Sequence, residues 1–332
     1  MTTTLHHSPH SKRTLISQCP VPLAGLALAI ASLGNAWEAA LPLHGYGRSI
    51  LGILALCCLL LLTLSALINP RRIHEVLMHP VAGGIIPTFC MGWMVVTRAL
   101  HDVAPLLMTS LWGIATALHL CALARFTYCR WCARCWQHMA PSWFIPSVGF
   151  IVATLSCPDP RYHMLCIGLL GLGMFNLALL MPIMLYRLIM HPPLEASAQP
   201  TLAILAAPVS LTLAGYISSV SAPALWLCGL LAGIALLMTA VVYGLLLSLL
   251  KRPFSPSFAA FTFPTVISAI ALQKLVQLPS LTQWAPALPA FLSVIAHIEL
   301  GVATAIVGYV SIGFLSQAVH ALFKRRLANS PC

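Results

Sequence analysis

The stretch Phe258–Leu272, "FAAFTFPTVISAIAL", sets a proline, Pro264, directly after Phe263 in an otherwise apolar run. Inside a helix a proline removes a backbone donor and clashes one turn back, at a cost of about 3 kcal/mol. In hydrocarbon no water can serve the freed groups, so they must find partners within the protein. A single proline in such a place would be a defect, whereas one that recurs at matched positions would belong to the architecture.

Composition sets the medium. Of 332 residues, 60% are hydrophobic and 7% are charged, against about 25% charged in soluble domains. The chain therefore reads as an integral membrane protein. Its net charge of +11 would point to nucleic acid in a soluble protein. Here the basic residues sit in short connectors between apolar runs, where they orient the chain in a bilayer, and no nucleic-acid partner is expected. The start, "MTTTLHHSPHSKRTLISQ", is polar and basic, with no small-residue cleavage pattern ahead of the first apolar run. The twelve cysteines include Cys57 and Cys58 inside an apolar run, where they read as small core residues rather than a disulfide framework.

A span needs about 20 mostly apolar residues. Ten runs qualify, near 20–40, 49–68, 80–100, 105–125, 141–157, 163–186, 200–220, 224–250, 256–275 and 290–318. The expected fold is thus an all-α membrane domain over 20–320, between cytoplasmic tails 1–19 and 321–332. The charges test this independently. With the N-terminus inside, only Arg48, Arg98, Arg161 and Lys274 fall outside, and the other thirteen of seventeen basic residues fall inside. So strong a bias places both termini in the cytoplasm and the protein in the cell (inner) membrane.

The prolines do recur. The odd spans contain Pro20 and Pro22, Pro80 and Pro87, Pro141 and Pro146, Pro200 and Pro208, and Pro256 and Pro264. The second members (Pro22, Pro87, Pro146, Pro208, Pro264) are separated by 65, 59, 62 and 56 residues, the period of one helical hairpin repeated five times. Kinked odd helices would form an inner ring around a pore, and straighter even helices an outer ring against lipid. Gly92, Gly149, Gly215 and Ser268 follow the kinks and would permit close contact or keep a lumen open. The alternative is a solid bundle with bends and no pore.

These segments carry a resemblance. "PVPLAGLALAIASLGNAW", "NPRRIHEVLMHPVAGGIIPTFCMGWM", "LWGIATALHLCALARFT", "PSWFIPSVGF" and "FAAFTFPTVISAIA" resemble the tellurite-resistance/dicarboxylate transporter family, which includes plant slow anion channels and fungal malate and sulfite transporters. The third and fourth of these segments resemble its bacterial members. The resemblance implies ten helices around a central pore, a homotrimer, and transport of small anions such as C4-dicarboxylates, sulfite or inorganic anions. It also implies a phenylalanine plug from the ninth span, which Phe263 matches best, with Phe261 its nearest rival. The sequence departs from the family at Glu38, where many relatives place a basic residue, and this counts against charge-based capture at that mouth.

With no charge at the centre of the odd spans, a permeating anion would meet partial charges at the proline breaks, and weak binding of that kind suits fast passage. Glu299, with His297 beside it in the tenth span, is the intramembrane carboxylate. It would serve either a helix contact or proton coupling in a carrier. His119 poses the same choice. "CRWCARCWQH" spaces Cys129, Cys132, Cys135 and His138 three apart, yet it lacks the second ligand pair of a structural zinc site and reads as an interfacial, acylated loop, so no metal is expected. No nucleophile elbow, zincin motif or phosphate-binding glycine loop occurs, so neither an enzyme nor a cofactor is expected. A non-transporting membrane scaffold or intramembrane enzyme remains the contrasting class.

Overall fold

The computed structural model describes residues 19–78, 82–133 and 139–328. They form helices in the order α1 (Leu23–Ala40), α2 (Tyr46–Ile68), α3 (Pro70–Met78), α4 (Ala82–Ile85), α5 (Pro87–Ala99), α6 (Pro105–Ala133), α7 (Phe144–Val148), α8 (Val152–Leu155), α9 (His163–Met190), α10 (Ala207–Ser219), α11 (Leu225–Leu249), α12 (Thr262–Val276), α13 (Pro279–Trp284) and α14 (Leu288–Ala328). Tight 3-10 turns cover Pro141–Trp143, Gly149–Ile151, Gln199–Ala206 and Pro256–Phe261. Helix α14 runs on to Ala328, through part of the segment read as a tail.

Among the described residues eight helices are long and apolar enough to cross a membrane, or nine if a bent pair ending in Ala82–Ala99 is one span. A shorter apolar helical run covers Pro141–Leu155. Burial divides them sharply. The apolar windows around Leu23–Ala40, Gln199–Ser219 and Pro256–Val276 are 61%, 78% and 78% buried, whereas those on α2, α6, α9, α11 and α14 are 22–39% buried.

Packing explains the division. Helix α1 packs on α5, α5 on α8, α8 on α10, α10 on α12, and α12 back on α1, closing a ring. Outside it, α2 lies on α1 and α5, α6 on α5, α9 on α7 and α10, α11 on α10, and α14 on α12 and α1. Large exposed side chains such as Leu67, Leu106, Phe175, Leu237 and Ile312 lie on this outer layer, and the surface is one that only lipid can solvate.

The prolines do not interrupt long α-helices. Pro87 opens α5, Pro208 and Pro264 fall in the first turns of α10 and α12, and Pro22 precedes α1. There the missing N–H is tolerated. Pro146 is the exception in degree, sitting inside the five-residue α7 with a 3-10 turn after it. The long helix that does contain a proline well inside is α9, at Pro182.

Hydroxyl side chains bond back to carbonyls one turn earlier beside the prolines. Thr265 Oγ1 donates to the Thr262 carbonyl at 2.8 Å, Ser210 to Ala206 at 2.8 Å, Thr88 to Ile85 at 2.7 Å and Ser268 to Pro264 at 3.0 Å. From outside the ring, the Asn176 amide donates to the Ser147 carbonyl at 2.7 Å. Each such bond contributes about 1 kcal/mol net, but an unmet carbonyl at this depth costs more. The small residues after the breaks serve close contact: a Cβ at Gly92 would meet Leu59 at 3.1 Å, one at Gly215 would run into Ile151 and Thr154, and Ser268 bonds Thr239 at 3.0 Å.

Candidate functional site

Two cavities lie along the ring. The first, about 60 Å³, is lined almost wholly by apolar groups from all five inner segments, including Pro22 and Gly25, Thr88 and Met91, Phe144 and Gly149, Pro208 and Leu211, and Phe263 with Pro264. The second, about 220 Å³, is polar; Ser32, Asn35, Arg48, Arg98, Ser156, Gln273 and Lys274 line it. One residue, Phe263, borders both.

Local structure sets that position. Phe263 is the second residue of α12, just past the 3-10 turn, and is 8% exposed. Phe261 is fully buried and points elsewhere, its ring 4.8 Å from that of Phe258 in a cluster that includes Phe254 and Tyr309. Pro22, Pro208 and Pro264 line the apolar cavity; Pro87 and Pro146 do not, although their neighbours Thr88 and Ile145 do.

Helices α1, α5, α10 and α12 begin beside this apolar cavity. Their positive dipole ends favour negative charge there. The leading amides of α10 and α12 are already engaged, Ala207 N–H to the Ile204 carbonyl and Thr262 N–H to that of Ala259. The helix ends therefore act on an anion as a field, not as the free donors expected from the sequence.

The polar cavity departs further from expectation. Glu38 does not face it. Its carboxylate accepts from the backbone N–H of Gly45 at 2.6 Å and of Arg48 at 3.4 Å. Gly45, at φ 88°, is the N-cap of α2, so Glu38 completes a helix N-terminus and its charge is partly offset there. The sequence-based objection to charge at this mouth is thus weakened. Arg48, Arg98 and Lys274, distant in the chain, meet at the one cavity. Each was visible as a lone cation near a span end; nothing in the spacing showed that they share a space.

Glu299 is 4% exposed on α14, outside the ring, with Oε2 unpartnered; Tyr243 on α11 is near enough to sense its charge. His297 is exposed, its Nδ1 2.7 Å from the Ser293 carbonyl. His119 is fully buried on α6, edge-on to Phe150 at 5.9 Å, with its ring nitrogens turned towards the carbonyls of Ile145, Pro146 and Pro87 but short of full hydrogen bonds. Pro80, Arg134, Cys135 and His138 lie outside the described residues. Cys129 is a partly buried free thiol on α6.

A closed ring of buried helices, sheathed by an apolar outer layer and with Phe263 bordering two cavities along it, is the architecture of a multi-pass membrane protein. The chain matches the SLAC1 family, voltage-dependent anion channel, over residues 18–315, and it belongs to that family. The family comprises membrane channels and transporters, not enzymes, and small anions are what it conducts. Among curated proteins, none matches the chain.

Proposed function

We propose that the protein conducts small anions, organic acids such as C4-dicarboxylates or sulfite and inorganic anions, through the lumen of the inner ring, with Phe263 as its gate. The observation that supports this reading is that Phe263 borders both the apolar and the polar cavity. A phenyl ring across a narrow apolar passage excludes water and ions until it moves. Beside it, Pro264 has no N–H to tie the first turn of α12 to the preceding chain.

In this reading the eight long helices, the Ala82–Ala99 segment and the Pro141–Leu155 run are ten spans. They pair as five hairpins, with both termini cytoplasmic, in the cell membrane. The polar cavity then faces outward, since three of the four cations on that side line it. A homotrimer with one pore in each protomer, bounded by lipid, fits the apolar outer layer. Anion flux into liposomes across a panel of anions tests the reading. Electrically silent, flux-negative vesicles would overturn it in favour of a scaffold.

A second reading, a proton-coupled carrier, is favoured by one observation: the buried Glu299 carboxyl has an unpartnered oxygen. An ionisable group at membrane depth is commonly functional. Accumulation of anion against its gradient, driven by an applied proton gradient and lost in Glu299→Gln, would establish it.

A further inference from the structure

We infer that the polar cavity is a docking site for doubly charged small anions, with Arg98 and Lys274 as the two residues that select for charge. This rests on the anion-conducting reading above and specifies what that path admits.

Arg98 ends α5 and Lys274 ends α12, and both helices pack against α1, whose Ser32 and Asn35 line the cavity with them. Lysine and arginine often sit in a last helical turn simply to offset its negative dipole end. That explanation accounts for their place in the chain but not for their lack of acidic partners. The ion pairs among the described residues are Arg48–Asp102 at 3.3 Å, Arg161–Asp159 at 2.7 Å and the longer His101–Asp102 contact at 3.9 Å; neither Arg98 nor Lys274 takes part. Glu38, the nearest acid in sequence to this mouth, is committed to the α2 N-terminus. Arg48 is offset by Asp102.

Two cationic side chains therefore stand without an acidic side-chain partner, among the described residues, in one cavity of about 220 Å³. Helix ends α1, α5 and α12 also converge here, adding partial negative charge that an entering anion must overcome. A monoanion leaves one cation unmatched, whereas a dianion satisfies both. Because these side chains are partly buried, their fields are screened less than those of surface charges. Asn35 and Ser32 supply neutral polar groups, so the site holds its ligand without a buried carboxylate to repel it. The apolar cavity beyond Phe263 has no charged side chain in its lining, so docking precedes the gate and a dianion must shed this partner to pass.

The test is equilibrium binding to the purified full chain in lipid nanodiscs, at fixed ionic strength and a pH where both carboxyls of succinate are ionised. Succinate, sulfate and butyrate are compared. Succinate or sulfate should bind at least about tenfold more tightly than butyrate. Lys274→Gln and Arg98→Gln should each bring dianion affinity to within about threefold of butyrate, whereas Lys274→Arg and Arg98→Lys should keep the preference. Lys251→Gln, in the connector after α11, should change nothing. Tight sulfate with weak succinate supports the site and assigns it to inorganic dianions; the reverse assigns it to dicarboxylates. Affinity for butyrate equal to that for both succinate and sulfate in the wild type, or a preference surviving both glutamine variants, overturns the inference. Valence-selective binding without liposome flux would sink the transport reading and leave this one standing; flux without valence selectivity would do the opposite.

Discussion

Phe263→Ala and Phe261→Ala make the same chemical change two residues apart, and the structure assigns them opposite outcomes. Phe263 borders the apolar and polar cavities, and on the proposed reading removing its ring would join them into one lumen. The size of the effect follows from what holds the ring in place. Burying a phenyl side chain contributes about 1.5–3 kcal/mol, and Phe263 is 8% exposed. If that burial is what favours the closed position, the ring is displaced in roughly one molecule in ten to one in a hundred. Deleting it should raise anion flux by about tenfold to about a hundredfold, the upper end requiring that no second constriction take over. Its cost in stability should fall below the usual core value, because the ring already adjoins empty space on two sides. Phe261 is fully buried against Phe258, so Phe261→Ala should cost about 3–5 kcal/mol and lower the melting temperature without raising flux. Stopped-flow or electrode-based flux in liposomes, with melting curves on the same preparations, reads both. Flux in Phe263→Ala no higher than wild type, with Phe261→Ala raised, would refute the assignment.

Three further outcomes follow from particular contacts. Glu299→Gln should leave passive flux within about twofold of wild type, because the residue sits outside the ring; a larger loss would favour the carrier reading. Glu38→Ala removes the acceptor for two backbone amides at the start of α2 and should cost about 0.5–2 kcal/mol, seen as a lower melting temperature with anion affinity unchanged. Gly34→Val places a Cβ 2.8 Å from the Gly47 carbonyl where α1 crosses α2, and should destabilise by about 1–3 kcal/mol or prevent recovery of folded protein; an unchanged melting curve would contradict the packing.

Much of the fold was legible in the chain. Runs of about 20 apolar residues are a one-dimensional signal, because a bilayer imposes its thickness on each segment separately. The recurrence of proline at Pro22, Pro87, Pro146, Pro208 and Pro264 was equally readable. What it misjudged was their character. Proline in sequence looks like an interruption, whereas most of these residues lie at or near the start of α-helices, where the missing N–H is tolerated.

The sequence by itself determined the medium, the apolar segments and the alternation of broken with continuous helices, since each depends on local composition and spacing. The tertiary structure alone decided which phenylalanine borders the two cavities. Phe261 ends the 3-10 turn and packs on Phe258 while Phe263 lies in the first turn of α12, and only the packing of the ring shows which of the two borders the cavities. It alone also brought Arg48, Arg98 and Lys274 to one cavity and took Glu38 out of it. Charge in a low-dielectric interior acts through distance in space, and separation along the chain does not reveal that distance.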